Sequence, residues 1–230
     1  MDTIARDLAK YPLLVLDGAF GTELARRGFD TNDALWSAKA LFEKPELVEA
    51  VHRDYYEAGA DISTSASYQA TVEGFEKKGF TREQAKELIV RSVRLVQQAR
   101  DAFWQQKEKR VGRPQPLAAA SVGPYGAYLA DGSEYRGDYG ASRAELADFH
   151  AERLAILVSA GPDILACETL PLLDEARAIL DDLRRYPDAG AWISFSCKDA
   201  EHTCGGDAIA DCARLLDKES QVAAIGVNCT

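Results

Sequence analysis

Four side chains that can do chemistry follow short apolar runs in this sequence: two carboxylates, a phenol and a thiol. Asp17 and Glu168 come directly after such runs, and Cys229 comes two residues after one. Tyr68 lies three residues beyond a more polar β-type run, residues 61–65. A carboxylate can hold an ammonium group, and a thiol becomes a nucleophile or a metal ligand once it loses its proton. If the runs are parallel strands, these groups converge at one edge of a sheet.

Each of these residues also has an ordinary structural interpretation. A cysteine at the end of an apolar strand is often a core residue, as Cys229 would be here. Asp17 and Glu168 are equally suited to capping the helices that follow them, and Tyr68 to packing. The other cysteines have no spacing typical of a metal site, and we expect structural or incidental roles for Cys167, Cys197, Cys204 and Cys212.

No histidine motif points to metal or acyl-transfer chemistry. The sequence contains neither HExxH nor GxSxG. His52 and His150 fall within amphipathic segments, where we expect surface or helix-packing positions, and His202 falls in a polar stretch.

Composition excludes several classes of function. The 230 residues carry a net charge of −10, which repels nucleic-acid phosphates. No apolar run approaches the roughly 20 residues needed to span a bilayer, and the N-terminus lacks the apolar segment of a signal peptide. Without a secretory signal, five cysteines are expected to be reduced, so we predict a cytoplasmic protein.

Short β-type runs alternate with helical segments along the whole chain. We predict six strands, at residues 13–16, 61–65, 117–122, 164–167, 192–197 and 222–227. Helices are predicted over 45–58, from a capping box at Thr81 and Gln84 to about Trp104, and from a second box at Ser142 and Glu145 to about residue 159. Gly59 is placed to end the first of these. Such alternation requires a parallel sheet.

Between the two common parallel architectures, the sequence favours a barrel. A doubly wound sheet should show GxGxxG after its first strand, and none is present. Polar residues at the ends of most strands are typical of a (β/α)₈ TIM-type barrel, which needs about 250 residues. Six strands use all 230 residues, so we expect a single barrel domain over 1–230, truncated after about the sixth strand, without strands 7 and 8.

Five stretches resemble the homocysteine S-methyltransferase family, in family order, from Leu14 to the last residue. They are residues 16–19 (LDGA), 66–70 (ASYQA), 121–137 (SVGPYGAYLADGSEYRG), 166–171 (ACETLP) and 226–229 (GVNC). The resemblance implies a TIM-type barrel and a Zn²⁺ ion held by three cysteines. One of these maps to Cys229, whereas the adjacent pair of cysteines that supplies the others is absent from this sequence.

The resemblance also implies the chemistry and the roles of the site residues. Zinc makes the bound thiol of homocysteine a thiolate, which attacks a methyl group on a positively charged donor. Glu168, supported by Asp17, is expected to bind the ammonium group of homocysteine. The remaining expected substrate contacts are the backbone N–H groups of Gly18 and Ala19, and Thr64, Tyr68 and Asn228, with Tyr68 also approaching the zinc.

The implied reaction is methionine biosynthesis from homocysteine and a sulfonium donor. We prefer S-methylmethionine as donor because the 121–137 stretch most resembles family members that use it, with S-adenosylmethionine next and betaine or a folate less favoured. The alternatives are a non-catalytic barrel fragment and a phosphate-binding barrel enzyme. Partners are expected to be small molecules, without nucleic acid or membrane; the oligomeric state is open, with a monomer favoured.

Overall fold

The structure, a computed structural model, describes residues 3–33 and 35–230, and within them strands alternate with helices. The strands are β1 (Ile62–Thr64), β2 (Leu117–Val122), β3 (Ile164–Leu170), β4 (Ala191–Phe195) and β5 (Val222–Val227). The helices are α1 (Thr3–Leu8), α2 (Phe20–Arg26), α3 (Ala40–Glu43), α4 (Pro45–Ala58), α5 (Val72–Glu76), α6 (Arg82–Gln105), α7 (Tyr125–Leu129), α8 (Arg143–Ser159), α9 (Leu173–Leu183) and α10 (Ile209–Leu216). Short 3₁₀ turns occupy Trp36–Lys39, Lys107–Arg110 and Ser133–Tyr135.

The five strands form one parallel sheet in the order in which they occur along the chain. Each strand is therefore hydrogen-bonded to the next one in sequence, with a helix in each connection. A doubly wound sheet reverses its strand order at a switch point, and these five strands show no such reversal. The predicted α/β class with a parallel sheet is confirmed, and closure into a barrel stays a prediction.

The predicted first strand, residues 13–16, is not a strand. The structure records only a single parallel bridge there, between Leu16 and Ile62. Asp61 occupies both sides of the contact: its N–H donates to the Val15 carbonyl at 2.7 Å, and its carboxylate accepts from the Val15 N–H at 2.9 Å. The Val15 carbonyl also accepts from the Ile62 N–H at 3.1 Å, and the Asp17 N–H donates to the Ile62 carbonyl at 2.9 Å. The segment therefore runs alongside β1, which is three residues long, and pairs with it through one bridge.

The helix-end signals in the sequence correspond to real caps. The capping boxes of Thr81 with Gln84 and of Ser142 with Glu145 are both present, with reciprocal hydrogen bonds. Gly59 has φ 113° and ends α4 in the left-handed conformation. These caps are local interactions, which explains why local sequence predicted them.

The two helical histidines are in the interior. His52 and His150 are both fully buried, and each bonds a side chain from another element, Ser63 and Glu175 respectively. The helix-packing expectation is therefore confirmed, and the surface expectation is wrong. Amphipathic segments place such residues on the inner stripe when the ring has a polar partner across the interface.

Among the residues described, none of the helices is both long enough and apolar enough to cross a membrane. The longest, α6, has 24 residues and is amphipathic. Its buried positions, including Leu88, Val93 and Val96, form one stripe against the sheet and neighbouring helices, while charged residues occupy the other face.

The core is asymmetric across the sheet. Strands β2 and β4 are buried at every residue, and β3 at all but one. In contrast, β5 is largely exposed, with Val227 57% and Ile225 37% exposed. On the other edge, Leu13 and Leu16 are 60% and 51% exposed. Both edges of the sheet therefore carry apolar side chains that nothing in the described part of the chain covers.

Candidate active site at the carboxyl ends of the strands

The polar residues after the strands surround one cavity of about 480 Å³. All the predicted site residues except Asp17 line it, namely Gly18, Ala19, Thr64, Tyr68, Glu168, Asn228 and Cys229. Asp17 lines an adjoining cavity, whose walls also include Glu168 and Asn228. The parallel sheet thus brings together residues that are more than 200 positions apart in sequence, as the strand-end pattern predicted.

Glu168 is the central acidic group of the cavity. It lies in the last part of β3, and its Oε1 accepts a 2.5 Å hydrogen bond from the Ser121 hydroxyl on the neighbouring strand β2. Burial raises the pKa of the Glu168 carboxyl to about 7; the bond from Ser121 lowers it, and the nearby charge of Asp17 raises it. A buried carboxylate of this kind is an energetically favourable partner for a cation.

Asp17 is held by its own chain. Its Oδ2 accepts from the Ser63 hydroxyl at 2.7 Å and from the Thr64 N–H at 2.9 Å, and its Oδ1 accepts from the Thr64 hydroxyl at 3.2 Å. Burial raises the pKa of Asp17 to about 6, against the lowering effect of these bonds. Its two carboxylate oxygens are thus occupied by β1, and Asp17 holds Thr64 in place. Its support of Glu168 and its contact with substrate stay predictions.

A buried chain of hydrogen bonds, here called the relay, joins His52, Ser63 and Asp17. It was not predicted from the sequence. Ser63 donates its proton to Asp17, so its oxygen must accept from His52 Nδ1, 3.0 Å away. His52 is therefore the neutral Nδ1–H tautomer, and burial lowers its pKa to about 3. Phe20 stacks on the ring at 4.8 Å. Spacing in sequence carries no signal for this relay, since helix α4 meets β1 only in the folded chain.

Cys229 lies at the mouth of the cavity in an unusual backbone conformation. Its φ is 51°, its side chain is exposed, and its sulfur accepts a weak bond from Asn228 Nδ2 at 3.6 Å. The rest of the Asn228 amide bonds Thr169 and Ser194. These internal bonds occupy both the oxygen and the nitrogen of the amide. The contact of Asn228 with substrate stays a prediction.

One thiol does not make a zinc site. The described residues contain no group of three or more His, Cys, Asp or Glu side chains that could hold a metal ion. A zinc site requires three or four protein ligands. Cys229 has the exposure expected of one such ligand, and further ligands would have to come from outside these residues.

Aromatic side chains form one wall of the cavity. Tyr68 meets Trp36 edge to face with ring centroids 6.4 Å apart, and Tyr135 lines the same cavity. Tyr68 is well buried, which raises the pKa of its hydroxyl. Close approach of the next loop requires glycine, since a Cβ at Gly123 would overlap the Tyr68 carbonyl oxygen. Tyr68 is thus held by packing and also faces the site.

The long loop after β2 is tied to the protein by a buried polar network. Glu175, fully buried in the first turn of α9, accepts from the Tyr125 N–H at 2.6 Å, from His150 Nε2 at 2.9 Å and from the Tyr139 hydroxyl. Arg153 donates to His150 Nδ1 at 3.1 Å and also to the carbonyl oxygen of Gly123, the first residue of the loop. These residues were not predicted, because each lies in an ordinary helical or loop pattern.

This loop, residues 123–137, contributes to the cavity. Ala130, Gly132, Glu134 and Tyr135 line it. The Ser196 hydroxyl, at the end of β4, donates to the Glu134 carbonyl oxygen at 2.9 Å and so joins the loop to the sheet. The loop therefore forms a fixed side of the site.

Known proteins share this sequence and fold. A family model described as homocysteine S-methyltransferase matches residues 14–230. Homocysteine S-methyltransferase YbgG of Bacillus subtilis is 54% identical over 100% of this chain and 73% of its own length, and homocysteine S-methyltransferase of Escherichia coli is 49% identical over 96% and 71%. Homocysteine S-methyltransferase 4 of Zea mays is 50% identical, with 94% of this chain and 65% of the relative covered.

Solved structures agree. The oxidized form of the homocysteine methyltransferase MmuM from Escherichia coli superposes with a TM-score of 0.92 at 48% identity, covering 99% of this chain and 77% of that one. The metallated form of the same protein gives a TM-score of 0.90 at 50% identity, covering 96% and 76%. The chain thus spans about two thirds to three quarters of the length of its relatives, and it belongs to the homocysteine S-methyltransferase family.

Proposed function

We propose that this chain binds homocysteine and transfers to its sulfur a methyl group from a sulfonium donor, with S-methylmethionine as the preferred donor and methionine as the product. The observation that carries the proposal is the arrangement of Glu168 and Cys229 around one cavity. An amino acid with a thiol needs both a buried anion for its ammonium group and a position where its sulfur becomes reactive. The family membership of the chain supports the same activity.

In this proposal homocysteine lies across the ends of β1 and β3. Glu168, already bonded to Ser121, accepts from the substrate ammonium group with its second oxygen. The exposed backbone at Gly18 and Ala19 offers N–H groups to the substrate carboxylate. Thr64, held by Asp17, lines the cavity between these two contacts.

The methyl donor lies against the aromatic wall. Cations are attracted to aromatic faces by about 0.5–2 kcal/mol, and a sulfonium carries a full positive charge. Trp36, Tyr68 and Tyr135 provide such faces in the same cavity as Glu168. This favours a cationic donor over a neutral one.

The methyl transfer needs no general base, because no proton is removed from the methyl carbon. The homocysteine thiol first loses its proton to solvent. Its sulfur then forms a bond to the methyl carbon while the donor sulfur–methyl bond breaks, and the donor leaves as a neutral thioether with the electron pair. A zinc ion held by Cys229 and further thiolates supplies the electrostatic stabilisation that keeps the homocysteine thiol deprotonated. The residues of this chain orient both substrates.

We also propose that the sheet belongs to a single (β/α)₈ barrel domain. The five strands follow one another in spatial order without a reversal, as barrel strands do. The exposed apolar side chains of β5 and of residues 13–16 are the surfaces that further strands would cover.

The experiment compares S-methylmethionine, S-adenosylmethionine and betaine at equal concentration, using zinc-loaded full-length protein and homocysteine. Methionine formation is expected to be fastest with S-methylmethionine and to fall at least about tenfold in Glu168→Gln, because a charge-assisted hydrogen bond is lost. Asp174→Asn, an exposed change on α9, is the control and should leave the rate unchanged. Turnover with betaine alone would overturn the donor assignment, and no methionine from any donor would overturn the function.

A non-catalytic role for the 230 residues alone is the alternative, favoured by the lone thiol ligand. Calorimetric measurement of homocysteine binding, together with an assay of methionine formation, distinguishes the non-catalytic role from the catalytic one. Homocysteine binding without turnover, even when zinc is saturating, would support the binding role.

A further inference from the structure

A second acidic residue, Glu134, lines the same cavity as Glu168. The turn Ser133–Tyr135 places Glu134 in its wall. The backbone there is held closely: a Cβ at Gly126 would overlap the Glu134 nitrogen, and Ser196 bonds the Glu134 carbonyl oxygen. The backbone of Glu134 is therefore held in place by the fold.

The Glu134 carboxylate is short of partners. Its Oε2 is buried and has no hydrogen-bond partner among the described residues. The arginine nearest in sequence does not supply one, because Arg136 bonds the Asp138 carboxylate at 3.1 Å and the Asp131 carbonyl at 3.2 Å. Burial raises the pKa of the Glu134 carboxyl. A polar oxygen removed from water without a partner costs about 1–3 kcal/mol, so its natural complement is a ligand that brings a donor.

The two carboxylates of the cavity have different surroundings. Glu168 is bonded to Ser121 and lies beside Asp17, in the part of the site assigned to homocysteine. Glu134 instead shares its part of the cavity wall with Tyr135, next to it in sequence. The reaction brings together two substrates, and the proposed donor carries both a sulfonium and an ammonium group.

The two cationic groups of that donor make different demands. The sulfonium loses its charge during methyl transfer, so a carboxylate beside it would stabilise the ground state more than the transition state and slow the reaction. The ammonium group keeps its charge throughout. A carboxylate that binds the ammonium group therefore improves donor binding without opposing the chemistry.

On this basis, which rests on the proposed function, we propose that Glu134 binds the ammonium group of an amino-acid sulfonium donor, while the aromatic wall faces the sulfonium. Glu134 would then select sulfonium amino acids over sulfonium compounds that lack an amino group. Glu168 remains the partner of homocysteine.

The test measures donor affinity and turnover in Glu134→Gln of the full-length protein. KM for S-methylmethionine should rise about tenfold to a hundredfold, with kcat nearly unchanged and KM for homocysteine unchanged, since a hydrogen bond to a charged group is lost. Trimethylsulfonium, which has no ammonium group, should show the same KM in both proteins. Asp174→Asn removes an exposed charge on α9, away from the loop, and should change none of these values.

Calorimetric binding of S-methylmethionine, which needs no turnover, gives an independent result. If the wild-type protein binds this donor but transfers no methyl group, the proposed function fails, and weaker binding by Glu134→Gln still supports the ammonium site. Equal affinity of the wild type and Glu134→Gln for S-methylmethionine would overturn the assignment of Glu134. So would a loss of affinity for trimethylsulfonium as large as the loss for S-methylmethionine. Thermal melting checks that the variant is folded.

Discussion

Asn228 and Thr169 are joined by two hydrogen bonds across the mouth of the site. Asn228 Oδ1 accepts from the Thr169 N–H at 2.9 Å, and Asn228 Nδ2 donates to the Thr169 hydroxyl at 2.8 Å. The pair links the end of β5 to β3, with Ser194 of the intervening β4 also bonded to Oδ1 at 2.9 Å. Thr169 and Cys229 both have positive φ, 63° and 51°, so this amide holds two strained residues in place.

Replacing Asn228 should therefore cost both stability and activity. Asn228→Ala removes all these bonds, and we expect the free energy of unfolding to fall by about 1–3 kcal/mol. Methionine formation should fall as well, because Cys229 loses its neighbour. Asn228→Asp keeps the acceptor for the Thr169 N–H but loses the Nδ2 donor. Its stability and activity should therefore lie between those of the wild type and those of Asn228→Ala. An unchanged urea midpoint in the alanine variant would contradict this role.

Glu168 makes ligand binding depend on pH. Its pKa is raised to about 7, so the carboxyl is mostly protonated below that pH and mostly ionised above it. Only the ionised form attracts an ammonium group. The affinity for methionine, which has no thiol to titrate, should therefore rise about tenfold between pH ~6 and pH ~8, measured by calorimetry.

The control for this pH dependence is Glu168→Gln, which should bind methionine weakly with no pH dependence over that range. The same shift affects stability in the opposite direction. The folded state binds more protons than the unfolded state between the ordinary glutamate pKa and about 7, so the wild type should lose stability relative to the variant as pH rises through that window. A wild-type affinity that is constant with pH would exclude Glu168 as the ammonium partner.

Ser63 joins His52 to Asp17 through two hydrogen bonds. Ser63→Ala leaves His52 Nδ1 buried without a partner and removes the shortest bond to Asp17, so unfolding should become easier by about 1–3 kcal/mol. KM for homocysteine should rise as Asp17 and Thr64 lose their fixed geometry. Ser92→Ala is the matched control: this serine is equally buried but bonds only the Ile89 carbonyl of its own helix. Equal effects of both changes would reject the relay.

Glu175 should be the costliest of these sites to neutralise. Glu175→Gln leaves Arg153 buried without its counter-charge and weakens two bonds to the 123–139 segment and a third to His150. We therefore expect a loss of about 3–5 kcal/mol in urea unfolding. Asp174→Asn, the neighbouring residue, breaks only an exposed pair with Arg177 and should cost about 0–1 kcal/mol. Similar losses in the two variants would mean that the buried network contributes little.

The sequence alone determined the features that depend on near neighbours. The caps at Thr81 and Ser142, the glycine stop at Gly59 and the bounds of β2 and β5 all follow from residues a few positions apart. The convergence of strand ends was also predictable, because parallel strands must present their carboxyl ends on one side.

Only the tertiary structure decided which polar groups pair. The bond from Ser63 to Asp17 joins residues 46 positions apart, and the bond from Asn228 to Thr169 joins residues 59 apart. The same holds for the first apolar segment, where the Val15 N–H bonds the Asp61 carboxylate, 46 positions away. Local propensity contains no information about such partners, since the free energy that selects them arises when burial removes each group from water.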